Sequence, residues 1–519
     1  MQKLSFIDLS LFLAYIVVLI GIALWVSRDK PGHQKNTLDY FMAGNSLPWW
    51  AVGASLIAAN ISAEQIIGMS GSGYAIGLAI ASYEWMAAIT LIIVGKYILP
   101  VLLAKRIYTM PQYLEQRFGP EVRLLLAIFW LGVYVFVNLT SVLWLGALAI
   151  YTTTGIDMNY GLLFLAGLSL TYSLYGGLKA VAYTDIIQVV VLVAGGLMLT
   201  YITLGMASAD GSVLGGFNNL LDKAPEKFDM ILSPDNPHYI SLPGLSVLIG
   251  GMWIMNLSYW GFNQYIIQRA LAAKNLREAQ KGIVFAAFLK LLMPLIVVLP
   301  GIVAFVLYPG LEPADKAYPM LMNLLPEGIR GFVFAALVAA IVSSLGSMSN
   351  SISTIFTMDI YARYRQGKSE KHYLQTGRLV SFLAMLLAII CARPLLGQLD
   401  QAFQYIQEFT GFFTPGIVVL FLLGMFWSGA TAKGALAAAA GSAVFSLALK
   451  LLWPELPFID RVGLVFLACL LLAIVISKLD KAVPLPQEEA NISFSTSGSY
   501  NIATLAIIAI LCALYISWW

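Results

Sequence analysis

The recurrence of long apolar runs governs what this chain can fold into. Fourteen of them, each roughly 17 residues or longer, lie at about 9–26, 47–70, 80–103, 123–152, 158–175, 184–206, 244–270, 281–308, 328–358, 377–396, 401–427, 431–452, 460–477 and 500–518. A run of that length crosses hydrocarbon as a helix, because an open sheet edge cannot face lipid. The expected fold is therefore an all-α multi-span membrane protein. Of 519 residues, 60% are hydrophobic and 11% charged. A soluble domain carries about 25% charged residues, and this chain cannot supply a polar skin of that kind. The first run ends at Ser27-Arg28-Asp29-Lys30 with no small-residue cleavage pattern before it, which predicts a retained span rather than a signal peptide. The longest loop, 207–243, is acidic and punctuated by Pro and Gly. No segment is long or polar enough for a separate soluble domain, so 1–519 reads as one unit.

The net charge of +3 gives no reason to expect nucleic acid as a partner. Cys391, Cys469 and Cys512 lie inside apolar runs and are expected to pack as small hydrophobes. There is no Walker A, GxSxG or strand-linked GxGxxG. A membrane enzyme would need a nucleophile–base pair or a cofactor site, and no His or Cys is placed to serve. With fourteen spans and the N-terminus outside, the inner loops hold 20 of the 30 Lys and Arg and the outer segments 7. That asymmetry predicts both termini outside.

Ionisable and amide side chains inside the spans are costly and point to function. In the second span, Ala58-Ala59-Asn60-Ile61-Ser62-Ala63-Glu64-Gln65 interrupts an apolar helix, and Gly68, Gly71 and Gly73 follow. An unwound segment lining a cavity explains this run, and a hydrogen-bonded helix seam is the plainer alternative. Glu84, in Ser82-Tyr83-Glu84-Trp85, is either a site residue or an interfacial carboxylate. The seventh span carries a second polar break, Asn256 to Gln264 around Gly261. It comes five spans after the first, the spacing of an inverted-repeat transporter. Tyr259 and Trp260 alone would suit an aromatic belt, but the neighbouring amides would not. Lys290 stands mid-span, too far from either headgroup layer to snorkel, which makes a buried partner the expectation and Glu84 the candidate. Gln407 and Glu408 form a last polar pair. Ser343 and Ser344 could simply bond back to the previous turn. Asp185, at the start of the sixth span, could be an N-cap.

Gln65, Glu84, Asn256, Lys290 and Gln407 together offer both donors and acceptors, with Tyr259, Tyr83, Met69 and Phe403 as apolar or aromatic neighbours. A neutral polyol suits that set, since each hydroxyl both donates and accepts and a pyranose face rests on an aromatic ring. The carbonyls of Ala58, Ile61 and Ala340 and the hydroxyls of Ser343 and Ser344 make a second set. Five neutral oxygens suit Na+, where a divalent ion would demand more carboxylates.

Along essentially its whole length the chain resembles the sodium:solute symporter family, in particular its bacterial sodium/galactose branch near the sodium/glucose cotransporters. The most specific stretches are Ala58 to Gly73, Ser82 to Trp85, Tyr175-Gly176-Gly177-Leu178 with Asp185, Tyr259 to Arg269, Gln280 to Lys290, Ala335 to Tyr361, and Gln401 to Gly411. The resemblance implies a LeuT-like core of five-plus-five inverted repeats within fourteen transmembrane helices. Residues 9–26 would be an extra N-terminal helix, 47–206 the first repeat, 244–427 the second and 431–519 the extra C-terminal helices. It implies sugar contacts from Gln65, Glu84, Asn256, Lys290 and Gln407, stacking on the pyranose by Tyr259, and an outer gate of Met69, Tyr83 and Phe403. It implies Na+ as coupling ion, held by Ala58, Ile61, Ala340, Ser343 and Ser344, with Asp185 as an exit or accessory position. No organic cofactor and no obligate protein partner are implied, and the setting would be a bacterial inner membrane. Two departures stand out. Ala87 replaces a sugar-contacting serine of the galactose branch, a loss of about 0.5–1.5 kcal/mol of hydrogen bonding. Gly346 replaces a hydroxyl carried by relatives that couple two sodium ions, which suggests one Na+ per sugar. The alternatives are symport of an inositol or an organic acid, and a membrane sensor on the same scaffold. The residues after Lys481 read as one more span rather than a signalling domain.

Overall fold

The computed structural model describes residues 4–26, 28, 36–396, 402–480 and 492–519. Ser27, Asp29, Lys30, Gln401 and Lys481, named above, lie outside these, as do the side chains at 172–177. Among the described residues ten helices are long and apolar enough to cross a membrane, or eleven with one bent pair counted as a single crossing. They are α1 (Phe6–Val26), the pair α2 (Trp49–Asn60) and α3 (Glu64–Ala75), α4 (Leu78–Ala104), α5 (Pro120–Thr154), the Leu178–Met206 stretch of α6 (Met158–Met206), α7 (Leu276–Leu307), α8 (Ile329–Tyr364), α9 (Glu370–Leu396), α10 (Ala432–Leu452), α11 (Phe458–Leu479) and α12 (Gly498–Ser517). Two shorter apolar helices, Met158–Thr171 within α6 and Thr414–Phe426, accompany them. No strand forms among the described residues. A single parallel bridge joins Leu47 to Ala273.

Helices dominate because a segment in lipid must satisfy its own N–H and C=O groups. Helical backbone runs unbroken through the 49 residues of α6, about 74 Å at 1.5 Å per residue and more than one crossing needs. Asp185 is therefore inside a helix and is not the N-cap its position allowed. α8 is the centre of the bundle, with 94% of its apolar window buried, against 17% for α1 and for α12. Those two helices face outward for most of their length. Cys512, on α12, is accordingly exposed and Cys391 partly so. This corrects the expectation of three buried thiols, since Cys469 alone of the three is buried.

Close packing explains the glycines that follow the first polar run. A Cβ on Gly73 would lie 2.7 Å from the Val298 carbonyl oxygen, and one on Gly301 would lie 2.2 Å from that of Ser70. α3 and α7 thus touch backbone to backbone, the usual device for packing helices in lipid. The loop 207–243 covers the end of α3. Its Lys227 Nζ donates to the Ala75 carbonyl at 2.6 Å and lies 4.3 Å from the Phe305 ring centre, a cation on a helix C-terminus. Burial pushes the Lys227 ammonium below its usual range, with Glu226 opposing the shift.

α1 is peripheral but firmly attached. Asp8 is fully buried. Its carboxylate accepts from the N–H groups of Gly328 at 2.7 Å and Gly331 at 2.8 Å, where α8 begins. Arg330 donates to it through Nε at 2.9 Å and Nη2 at 2.6 Å. A carboxylate is stabilised at a helix N-terminus by free N–H groups and the dipole. Replacing Asp8 by Leu removes the acceptor from all of these donors, at an expected cost of about 3–5 kcal/mol. Thermal unfolding of the detergent-purified protein should show a lower midpoint for Asp8→Leu, part of which the Asp8→Leu/Arg330→Met double variant recovers. An unchanged midpoint in Asp8→Leu would mean that this contact does not hold α1.

Candidate functional site

The first polar run is a break. α2 ends at Asn60, Ile61 is extended at φ −75°, ψ 94°, and α3 resumes with a wide π turn at Glu64–Gly68. The axis bends by 59°. Within the break, backbone donors turn to side chains. Ser62 N–H reaches Gln65 Oε1 at 3.4 Å and Glu64 N–H reaches Ser62 Oγ at 3.1 Å. The carbonyls of Ala58 and Asn60 thereby lose the donors that a continuous helix would give them.

α8 supplies the groups opposite those carbonyls. Ser344 Oγ lies 3.5 Å from Ala58 O, 3.1 Å from Ala59 O and 3.4 Å from Ile61 O. One hydroxyl proton serves one acceptor at a time, so several neutral oxygens face a common point. Ala340, buried, stands one turn earlier in α8. Ser343 turns elsewhere: its Oγ donates to Asp185 Oδ1 at 2.5 Å, and Ser55 Oγ donates to Oδ2 at 2.5 Å. Arg269 Nε donates to Ser55 Oγ at 3.1 Å and its Nη2 to Ser347, and Nη2 is 4.0 Å from Asp185. Both α8 serines are thus directed across helix interfaces rather than back to the previous turn. Asp185 sits in a neighbouring polar cluster and is not part of the cavity wall described next.

The second polar run breaks in the same manner. Helix Gly251–Leu257 passes into a π turn at Ser258–Phe262, Asn263 is extended, and helix Gln264–Leu271 follows. Tyr134 pins this break, donating to Asn263 Oδ1 at 2.6 Å and accepting from Gln264 N–H at 2.9 Å.

Between the two breaks lies a cavity of about 890 Å³, its open mouth included. Its wall includes Gln65, Glu84, Asn256, Tyr259, Lys290 and Gln407, and also Met69, Tyr83 and Phe403. Residues scattered over some 340 positions of sequence therefore border one space. Lys290 and Glu84 form a buried ion pair. Lys290 also donates to Asn60 Oδ1 and lies 4.9 Å from the Trp260 ring centre, within cation–π range. Asn60 Nδ2 donates to Tyr259 Oη at 3.0 Å, and Tyr265 Oη donates to that oxygen at 2.7 Å. A polar chain thus runs from Glu84 through Lys290 and Asn60 to Tyr259. Asn256 bonds its own helix at Met252 O, 3.1 Å. Tyr83 meets Phe403 edge-on, with ring centres 5.3 Å apart, and its buried hydroxyl makes no hydrogen bond to a described residue. Ala87 is also on the wall.

Sequence reasoning assigned no role to Asn60, Glu64, Trp260 or Asn138, all of which line this cavity. Asn60 and Glu64 lay within the polar run already singled out. Asn138 is a lone amide in the 123–152 run, a signal that could have found it. Trp260 is buried under Lys290 and is no aromatic belt. The cavity as a whole offers paired donors and acceptors with flanking aromatic faces, a wall for a small polar solute with an apolar face.

The profile of the sodium:solute symporter family matches residues 40–441. The sodium/glucose cotransporter of Vibrio parahaemolyticus is 53% identical, with 99% of each chain covered. The human sodium/myo-inositol cotransporter 2 is 34% identical over 82% of this chain and 67% of its own. Among solved structures, a substrate-bound, outward-open Na+-coupled sialic acid symporter superposes with a TM-score of 0.81 over 93% of this chain and 100% of its own. At 22% identity that likeness speaks to the fold alone. The chain belongs to the sodium:solute symporter family, and is a sodium-coupled membrane transporter, not an enzyme.

Proposed function

We propose that the protein takes up a hexose, glucose or galactose, driven by Na+ and by alternating access to the cavity. The observation that carries this reading is the chain Glu84–Lys290–Asn60–Tyr259, which joins the cavity wall to the break holding Ala58 and Ile61. Lys290 would donate to a sugar hydroxyl and Glu84 accept from one, while Gln65, Asn256 and Gln407 supply amides. Tyr259 would stack on the ring, and Met69, Tyr83 and Phe403 would close the outer side. Na+ would sit among the carbonyls of Ala58, Ile61 and Ala340 and the hydroxyl of Ser344, with Ser343 turning to it from Asp185. Asp185 would be an accessory position on the ion's way out. The name of the Vibrio relative supports a sugar.

The same reading includes fourteen spans and two inverted five-helix repeats, 47–206 and 244–427, with 9–26 and 431–519 outside the repeats. Two bent helices at corresponding places, Trp49–Ala75 and Gly251–Leu271, support it. The bias of Lys and Arg toward one set of loops supports both termini outside a bacterial inner membrane.

Counter-flow uptake in proteoliposomes with a panel of hexoses and myo-inositol, in Na+ or K+, tests the substrate. Exchange of a hexose in Na+ alone is expected. Because Ala87 lacks a hydroxyl, the panel should rank sugars differently from an Ala87→Ser variant. Exchange of myo-inositol and no hexose would replace the sugar reading with a polyol one.

Ser344→Ala should abolish Na+ stimulation. Full uptake by this variant in choline buffer would remove Na+ from the mechanism. Lys290→Ala should weaken sugar binding far more than Na+ binding, since losing one partner of a buried pair costs roughly 3–5 kcal/mol. An unchanged sugar affinity by calorimetry would show that Lys290 makes no contact with substrate.

One Na+ should move with each sugar, because Gly346 brings no hydroxyl toward Asp185. One charge falling through about 100 mV releases roughly 2.3 kcal/mol. A tenfold Na+ gradient adds about 1.4 kcal/mol. Together these sustain a sugar ratio of roughly 500, and two ions would square it. Clamping both gradients and finding the voltage of zero flux reads the stoichiometry, and a null point that demands two ions would overturn it.

A further inference from the structure

A second cleft lies away from the transport cavity, between the start of α7, the start of α12 and Trp49 at the start of α2. It is a shallow groove, open on one side. At its top stand Arg277 and Lys281, one turn apart on α7 and both exposed. Neither has an ion pair among the described residues. Ser497 and Ser499 face them from α12, with their hydroxyl oxygens 3.0 Å apart. Ser497 caps α12 by accepting from Tyr500 N–H at 3.3 Å, and the remaining N–H groups of that first turn favour an anion.

Below this polar rim the walls are apolar. Val284, Phe285 and Phe288 continue the Arg277–Lys281 face of α7 at helical spacing. Leu292 and Leu295, 37% and 45% exposed, extend the stripe. From Lys281 to Leu295 the helix rises about 21 Å, enough for an acyl chain in one leaflet of a hydrocarbon core about 30 Å thick. The cleft is rigid where it needs to be. Trp49 packs edge-on against Phe285 with ring centres 5.7 Å apart, and Trp49 N–H donates to Glu278 Oε2 at 2.8 Å. Tyr500 is buried at the floor and donates to the Ile92 carbonyl at 2.6 Å. Tryptophan at such a depth is a headgroup-level anchor.

We infer that this cleft holds one anionic phospholipid, with its phosphate against Arg277, Lys281 and the first turn of α12 and an acyl chain along Phe285, Phe288 and Leu292. Charge complementarity selects the occupant. Two cations without carboxylate partners stand over an apolar groove, at the level where an anionic headgroup meets its chains. A zwitterionic lipid would bring its own cation to the same place and gain less. The lipid would fasten α12, otherwise poorly buried, to the helix that carries Lys290.

Native mass spectrometry of the full chain in detergent, titrated with phosphatidylglycerol or phosphatidylcholine, tests this. Phosphatidylglycerol should bind at a saturable site, survive collisional activation longer than phosphatidylcholine, and raise the unfolding midpoint. Arg277→Gln/Lys281→Gln should weaken phosphatidylglycerol roughly thirtyfold, two surface cations being worth about that factor. The exposed pair Arg365→Gln/Lys368→Gln, with the same change in net charge, should not. Phe288→Asp should lose the lipid while keeping the basic pair. Equal binding of the two lipids, or equal loss in both double variants, would overturn the inference. Displacement of phosphatidylglycerol by inorganic phosphate would reduce the site to an anion site and overturn the acyl-chain part. Na+-driven uptake by Arg277→Gln/Lys281→Gln in liposomes should match wild type, so a failed sugar assignment is read separately.

Discussion

Everything at the centre of this molecule follows from the rule that a backbone oxygen in hydrocarbon must have a partner. An uninterrupted helix supplies that partner four residues on. Where Ile61 goes extended, the supply stops, and the oxygens of Ala58, Ala59 and Ile61 must be met from another helix. Ser344 meets them with a single proton. A hydroxyl shared among three acceptors is a weak solution for a fold and a good one for a transporter, since the same oxygens remain available to a monovalent cation. α8, which carries this answer, is itself enclosed, with 94% of its apolar window buried.

The buried charges obey the same accounting. Lys290 and Glu84 compensate one another, and Asn60 spends its two ends on Lys290 and Tyr259. Asn60 is the last residue of α2, and the break begins immediately after it. The polar chain on the cavity wall and the oxygens around Ser344 are therefore anchored to the same four residues of backbone.

Much of this was legible in the sequence because charge and amide residues are so costly in apolar runs. The run at 58–65, the run at 256–264 and the isolated Lys290 announced themselves against their surroundings, and each is where the chain breaks or pairs. Less legible were features that depend on direction around a helix. Ser343 and Ser344 are adjacent in sequence but 100° apart on α8, so one faces the Ala58 carbonyls and the other Asp185. The amides around Trp260 argued against an aromatic belt, but its place in the π turn Ser258–Phe262, with its ring 4.9 Å from Lys290 Nζ, could not be read from its neighbours in sequence. The glycines at 68–73 could be read as loosening the helix, whereas Gly73 serves a backbone contact with α7, a residue 225 positions on. Periodicity within one segment carries no record of such contacts.

The carboxylate of Asp8 also has a temporal side. Its partner Arg330 lies 322 residues later in the chain. At a synthesis rate of roughly 5–20 residues per second, the first helix waits about 16–64 seconds before its acceptor finds those donors. Asp8 lies in the first turn of α1. At that end of the helix a charged side chain can pass the interval in contact with water and headgroups, where a mid-helix carboxylate would spend it in hydrocarbon. The order in which the chain is made, and not only the energy of the finished bundle, thus fits the placing of this buried charge at the rim of its span.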